Sequence, residues 1–260
     1  MTAAAGHFSH ALVRPPGANF AAGLTTSGGA PDLALALTQH AAYVAALTAL
    51  GLEITALPAD SDFPDATFVE DTAILVPEAA IITRPGAPSR RGETASIRAA
   101  LSIRFSTVLS IDEPGTVDGG DVCETENGFL IGLSARSNLS GATQLARHLG
   151  AHGYRSRLID IRDTPFLHLK SGLSYLGNRR LALATGLDPR LLERDFEVVP
   201  VTREESYAAN CVAVNGRVLV AAGFPQFHAA LARFNLEPVV LEMSEFRKMD
   251  GGLSCLSLRS

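Results

Sequence analysis

Short apolar runs closed by Gly, Pro or Ser punctuate the chain: Ala11-Leu-Val-Arg-Pro-Pro-Gly17, Ala80-Ile-Ile-Thr-Arg-Pro-Gly86, Phe129-Leu-Ile-Gly-Leu-Ser134, Leu181-Ala-Leu-Ala-Thr-Gly186 and Val218-Leu-Val-Ala-Ala-Gly223. Runs of this length bounded by turn formers predict central, buried strands. Each is followed by a segment able to form a helix. From Pro31 to Leu50, for instance, Leu33, Leu37, His40, Val44, Leu47 and Leu50 recur near a spacing of three and four. Pro31 and Asp32 suit a first helical turn there, and Gly51 suits the stop. A second strand-like run closes each segment: Leu52 to Leu57, Ser106 to Ile111, Ser156 to Ile161, Phe196 to Val201 and Pro238 to Met243. The pattern predicts five strand-helix-strand units.

A third feature separates the units. Polar or Gly-rich stretches lead into further short strands at Phe68-Val-Glu-Asp-Thr-Ala-Ile, Asp118-Gly-Gly-Asp-Val-Cys, Leu167-His-Leu-Lys-Ser-Gly-Leu, Ala209-Asn-Cys-Val-Ala-Val and Gly252-Leu-Ser-Cys-Leu-Ser-Leu, about 50, 50, 42 and 42 residues apart. The last stretch has no strand and helix after it, and the first strand at Ala11 has no polar stretch before it, so the two ends complete one unit together. This predicts a closed ring of ββαβ units, an α/β fold with pseudo-fivefold symmetry, in place of an open array with exposed edges. A doubly wound dinucleotide-binding sheet is disfavoured, because no G-x-G-x-x-G follows a strand. No linker or composition break appears, so residues 1–260 are expected to form a single domain.

Apolar residues make up 47% of the chain and charged residues 19%, enough for a sizeable core. The net charge of −5, with no basic block longer than Arg90-Arg91, supplies no footprint for nucleic acid or an anionic membrane. No cationic leader and no membrane-length apolar run is present, so a cytoplasmic location is expected. Cys123, Cys211 and Cys255 are odd in number and share no C-x-x-C spacing, which argues against a disulfide framework or a structural zinc site.

In a ring, the five polar stretches converge on the centre, and with them Asp65, Glu70, Asp71, Asp118, Asp121, His168, Lys170, Asn210, Cys211, Asp250 and Cys255. Nucleophilic cysteine chemistry needs an imidazole to manage the thiol proton and a third group to orient it, parts that Cys255, His168 and Asp118 can supply. Taken singly, each has a plainer reading. Cys255 among leucines is a small buried hydrophobe, His168 beside Phe166 and Leu167 a core histidine, and Asp118 before two glycines a turn residue.

Together, however, Phe63-Pro-Asp-Ala-Thr-Phe-Val-Glu-Asp71, Ile82 to Glu93, Thr116-Val-Asp-Gly-Gly-Asp121, Leu167-His-Leu-Lys-Ser-Gly172, Glu205 to Cys211 and Arg247 to Ser257 resemble the dimethylarginine dimethylaminohydrolase family. The resemblance runs from about Ala11 to the C-terminus. It implies the five-bladed α/β-propeller of the guanidine-modifying enzymes and hydrolysis of Nω-methylated arginine to citrulline and a methylamine, with no metal or other cofactor. Carried over by position, it implies Cys255 as nucleophile, His168 as general acid and base, and Asp118 as the carboxylate orienting His168, a role Asp121 could share. It further implies that Glu70, Asp71 and the Met249 carbonyl hold the guanidinium. Asp65 and the Leu24 carbonyl would take the α-amino group, and Arg90 and Arg136 the α-carboxylate. Leu24 to Ala30 reads as a lid. Related arginine deiminases carry an acid two positions after the histidine; Lys170 stands there here, which favours methylated over free arginine. The partner expected is a small molecule, with a homodimer possible. Rival readings are a deiminase-like or other guanidine hydrolase of the same fold, a non-catalytic binder of cationic amino acids, or a metal-binding protein using Cys255, His168 and Asp118; separately, zinc on the pair of Cys255 and His168 would act as an inhibitor.

Overall fold

The computed structural model describes residues 6–260 apart from Ser27, Asn127 and Glu193. The first central strand, β1 (His10–Val13), runs parallel to β2 (Glu53–Ala56) after crossing over through helix α1 (Leu33–Ala49). The same plan repeats. A hairpin of β3 (Ala73–Val76) and β4 (Ala79–Ile82) leads through α2 (Thr94–Arg104) to β5 (Val108–Ser110), parallel to β4. Next, β6 (Val122–Thr125) and β7 (Gly128–Leu133) lead through α3 (Leu139–Ala151) to β8 (Ser156–Asp160). The one-turn helix α4 (Leu169–Gly172) enters a fourth sheet of β9 (Leu173–Gly177), β10 (Arg180–Ala184) and β11 (Glu197–Val201). The fifth contains β12 (Val212–Val214), β13 (Arg217–Ala221) and β14 (Glu237–Leu241), with α5 (Pro225–Arg233) as its crossover. After the short α6 (Ser244–Arg247), β15 (Ser257–Arg259) returns to pair antiparallel with β1.

Among the described residues these are five three-stranded sheets, and the first and last strands share one of them. The inner strands lie against one another in ring order: β15 meets β3, β6 meets β9, and β9 meets β12. The architecture is a five-bladed α/β-propeller. In each blade the central strand is buried on both faces, which is why β4, β7, β10 and β13 read as continuous apolar runs and not as alternations. Closing the ring through β15 and β1 removes the edge that either strand would otherwise expose.

Two expectations are corrected. Between β10 and β11 no helix forms among the described residues; a single 3-10 turn at Pro189–Leu191 makes the connection. Only residues 185–196 are available there, with Gly186 at φ +124° and Pro189 among them, too few to turn, form a packed helix and return. In α1 the expected His40 and Leu47 are buried and Leu33, Val44 and Leu50 pack against the core, but Leu37 is exposed and Ala36, Gln39 and Tyr43 join the buried stripe. The helix is apolar on every side, so spacing alone does not select its inner face. It starts as expected: the Asp32 carboxylate accepts the Leu35 N–H at 3.0 Å.

Candidate active site

Every polar stretch of the sequence forms a single tight turn just before an inner strand, and the turns crowd one end of the ring. Cys255 sits in the 3-10 turn Ser254–Leu256 ahead of β15. Gly251 and Gly252 bring the chain to it through a narrow passage: a Cβ on Gly251 would lie 2.2 Å from the Phe68 ring, and one on Gly252 2.4 Å from the Asn210 side chain. Asn210 braces the turn, accepting the Ser254 N–H at 2.9 Å and donating to Ser254 Oγ at 3.2 Å. Burial, reinforced by the charges of Glu70 and Asp71, pushes the Cys255 thiol up to about 12. Before a ligand arrives, sulfur therefore carries its proton.

His168 caps the start of α4, and its Nε2 lies 3.0 Å from Asp118 Oδ2. Asp118 is wholly buried, and its other oxygen accepts the Gly86 N–H at 2.8 Å. Asp71 approaches from the neighbouring blade, accepting the Gly120 N–H at 2.8 Å and Arg90 Nη1 at 2.6 Å. Burial opposes charge on His168, but Asp71, the Asp118 hydrogen bond and Asp121 outweigh it and raise the imidazole from 6.5 to about 9. For Asp71, burial is outweighed by Arg90 and His168, and its carboxyl falls to about 2. An imidazolium set between carboxylates faces a neutral thiol. Donor atoms of Asp71, Asp118 and His168 lie within 4.8 Å of one another, a spacing a cation would accept. In the fold they are matched instead with Arg90, backbone N–H groups and each other.

A cavity of about 190 Å³ opens over these groups, a size for one small molecule. Leu24, Asp65, Asp71, Arg90, Arg136, His168, Met249 and Cys255 all line it. Asp118 stands behind His168 instead of on the wall. Glu70 is not brought to this cavity. It faces a second one beneath, where it is 2.6 Å from Lys170 Nζ, 3.1 Å from Arg259 Nη2 and accepts Ser254 Oγ at 2.6 Å. Lys170 follows it there, as do Cys123 and Cys211, whose thiols burial pushes up to about 12.

The two arginines differ. Arg90 donates from Nε and Nη2 to Glu93, from Nη1 to Asp71 and from Nη2 to the Phe68 carbonyl, so of its five N–H groups about one stays available. The Arg136 guanidinium has no ion-pair or hydrogen-bond partner among the described residues and is the cavity's open cation. Opposite, both Asp65 oxygens receive the Leu24 N–H, at 3.0 and 3.2 Å. Over the top, Asp250 accepts Thr26 N and Oγ1 at 2.6 and 3.0 Å, and Thr25 Oγ1 donates to the Lys248 carbonyl at 2.7 Å. Ser27, within the expected lid, lies outside the described residues. Sequence reasoning missed Phe68 and Leu167 on the wall, and Ser137, whose hydroxyl accepts the Asp118 N–H at 3.0 Å. Apolar and serine positions carry no chemical signal until the fold places them.

The sequence profile of the family described as Arginine deiminase matches residues 60–177. An N(G),N(G)-dimethylarginine dimethylaminohydrolase of Pseudomonas aeruginosa is 44% identical over 255 residues, covering 97% of this chain and 99% of the relative. The chain belongs to the dimethylarginine dimethylaminohydrolase family. Among solved structures, a dimethylarginine dimethylaminohydrolase variant captured as an adduct with S-methyl-L-thiocitrulline superposes with a TM-score of 0.94 at 42% identity, over 97% of this chain and 100% of that one. A cysteine-to-serine mutant of the Pseudomonas aeruginosa enzyme complexed with citrulline gives 0.93 at 42% identity, over 98% and 100%. Dimethylarginine dimethylaminohydrolase architecture thus spans nearly the whole length. Among the described residues no helix is long and apolar enough to cross a membrane.

Proposed function

We infer that this protein hydrolyses Nω-methylated L-arginine to L-citrulline and a methylamine through a covalent intermediate on Cys255, the chain acting as one catalytic domain. The observation that carries the reading is the polarity of the cavity. Asp71 lies beside Cys255 and His168, while Asp65 and Arg136 together offer one charge of each sign for an amino-acid head group.

The α-carboxylate meets the open Arg136, with Arg90 contributing its remaining N–H. The α-amino group meets Asp65 and the Leu24 carbonyl. The guanidinium meets Asp71 and the Met249 carbonyl, placing its carbon before sulfur. Its positive charge offsets the field of Asp71 that holds the proton on Cys255, and the thiol releases that proton to solvent as substrate binds, leaving the thiolate; the proton is regained when citrulline leaves. Sulfur attacks the guanidinium carbon, forming a C–S bond. His168 donates its proton to the leaving nitrogen, the C–N bond breaks and the methylamine departs, leaving a thiouronium. His168, now neutral, takes a proton from water as that water adds to the same carbon; collapse breaks the C–S bond and releases citrulline. Asp118 keeps Nε2 of His168 engaged, so Nδ1 is the atom that exchanges protons. Glu70 contributes from behind, by holding Ser254 next to the nucleophile. Lys170, pointed into the lower cavity, leaves one side of the guanidinium without a carboxylate, which supports methylated over free arginine.

The test is release of citrulline and dimethylamine from asymmetric dimethylarginine, with arginine and agmatine in parallel and Cys255→Ser as control. Equal release of both products, lost in Cys255→Ser, is expected; ammonia release with preference for arginine would make it a deiminase, and no turnover would leave a binder. We place the enzyme in the cytoplasm. We also read it as a homodimer, since α1 exposes Leu35 and Leu37 and contains no Asp, Glu, Lys or Arg; light scattering of the purified protein tests this.

A further inference from the structure

Asp121 stands three residues from Asp118 but does not touch His168 in the way Asp118 does. It is wholly buried in the 3-10 turn Gly119–Asp121. Its Oδ2 accepts the hydroxyls of Ser134 and Ser137, each at 2.6 Å, and its Oδ1 accepts the Leu169 N–H at 2.9 Å. Both serines pass the contact on. Ser134 Oγ accepts the N–H groups of Arg136 at 3.0 Å and Ser137 at 3.1 Å, and Ser137 Oγ accepts the Asp118 N–H at 3.0 Å. One carboxylate therefore grips the residue after His168, the turn that carries Arg136 and, through Ser137, the backbone of Asp118.

We propose that Asp121 is a positioning residue that ties the two ends of the substrate cavity together, setting the height of His168 through Leu169 and the aim of Arg136 through Ser134. The inference rests on the roles given above to His168 and Arg136. A surface turn would hold Arg136 only loosely. Here its backbone hangs from a serine whose oxygen already accepts two N–H groups and whose hydrogen has one acceptor, Asp121. The arrangement is saturated. Gly132 is fitted to it as well, since a Cβ there would lie 2.9 Å from Asp121 Oδ1.

Hydrogen-bond arithmetic distinguishes the carboxylate from its amide. In Asp121→Asn the carbonyl oxygen can still take the Leu169 N–H, but the NH2 group then faces both serine hydroxyls. Ser137 Oγ has capacity for another donor; Ser134 Oγ, with two N–H groups on it, has none. The turn bearing Arg136 must shift, while the His168 side is disturbed less.

The experiment compares Ser134→Ala, Asp121→Asn and Arg136→Ala, singly and with Ser134→Ala added to Arg136→Ala, using asymmetric dimethylarginine. Ser134→Ala is expected to raise KM about tenfold with kcat nearly kept, the scale expected when a positioned group slips. The same change made in the Arg136→Ala background should alter KM little. An equal KM effect in both backgrounds, or none in either, would overturn the link. Asp121→Asn is expected to raise KM in the same way and to lower kcat as well. A substrate-free readout is the NMR titration of His168, which faces Asp71, Asp118 and Asp121: it should move to lower pH in Asp121→Asn and stay near its wild-type position in Ser134→Ala. If Arg136→Ala alone left KM unchanged, the assignment of Arg136 would fall. The titration would still decide the tie to His168, upheld by the displacement and overturned without it.

Discussion

At the scale of single residues, the site works by unequal burial of opposite charges. His168 is protonated because three carboxylates outweigh its burial, and Cys255 is protonated because burial and two carboxylates act in the same direction. Asp118→Asn should lower kcat by about 10²–10⁴, because the imidazole loses both its orientation and the charge that stabilises its cation; steady-state kinetics at saturating substrate check this, and KM should change far less. The pH dependence follows from the direction of the His168 shift. A folded value of about 9 against 6.5 means that the imidazolium stabilises the fold fully below pH 6.5 and that this contribution is lost as pH rises through about 9. The contribution is at most on the order of 3 kcal/mol, seen as a stability gap between wild type and His168→Gln that narrows across that window in urea denaturation. Turnover should fall through the same window, as the leaving amine loses its proton donor. Cys255, His168 and Asp118 were legible as candidates because the repeat brings their turns to one centre and the family resemblance assigns them, although singly each reads as an ordinary core or turn residue. The unequal commitment of Arg90 and Arg136 was not legible: it depends on Glu93, Asp71 and a backbone carbonyl arriving from other turns.

At the scale of elements, the five central strands among the described residues were readable because a strand buried on both faces is a continuous apolar run. The missing crossover helix between β10 and β11 and the exposure of Leu37 on α1 were not. In the first, chain length overrides helical tendency. In the second, a helix apolar on all sides leaves its orientation to whatever sheet it meets, and Tyr43 decides it by reaching Ser257 Oγ at 2.6 Å. The loop over the cavity is latched by an element boundary: Asp250, at φ +56°, holds Thr26 from the turn after α6. Asp250→Ala removes two hydrogen bonds to a carboxylate and should raise KM about tenfold, whereas Asp250→Asn, which tolerates the same backbone and keeps one acceptor, should cost less. Substrate titrations under initial-rate conditions separate the two.

At the scale of the whole molecule, three blades are tied together by an ion cluster around the buried Glu70. Glu70, ahead of β3, takes Lys170 from α4 and Arg259 from β15. Glu70→Ala leaves the half-buried Lys170 without its carboxylate and Arg259 with its serine acceptors, and should cost about 1–3 kcal/mol, read as a lower denaturation midpoint. The effect is expected even in Cys255→Ser, which separates it from catalysis. The amino-acid sequence by itself determined the number of units, the pairing of the first strand with the last and the convergence of the polar turns. All of these are consequences of local pattern and repeat spacing, and a pattern survives without coordinates. Only the tertiary structure decided that Glu70 meets Lys170 and Arg259 while Asp71 lines the cavity, that Asp118 touches His168 while Asp121 takes two serine hydroxyls, and which arginine stays open. Neighbouring residues on one tight turn point to opposite sides of it, and their roles are set by partners that the sequence holds about 20 to 190 positions away.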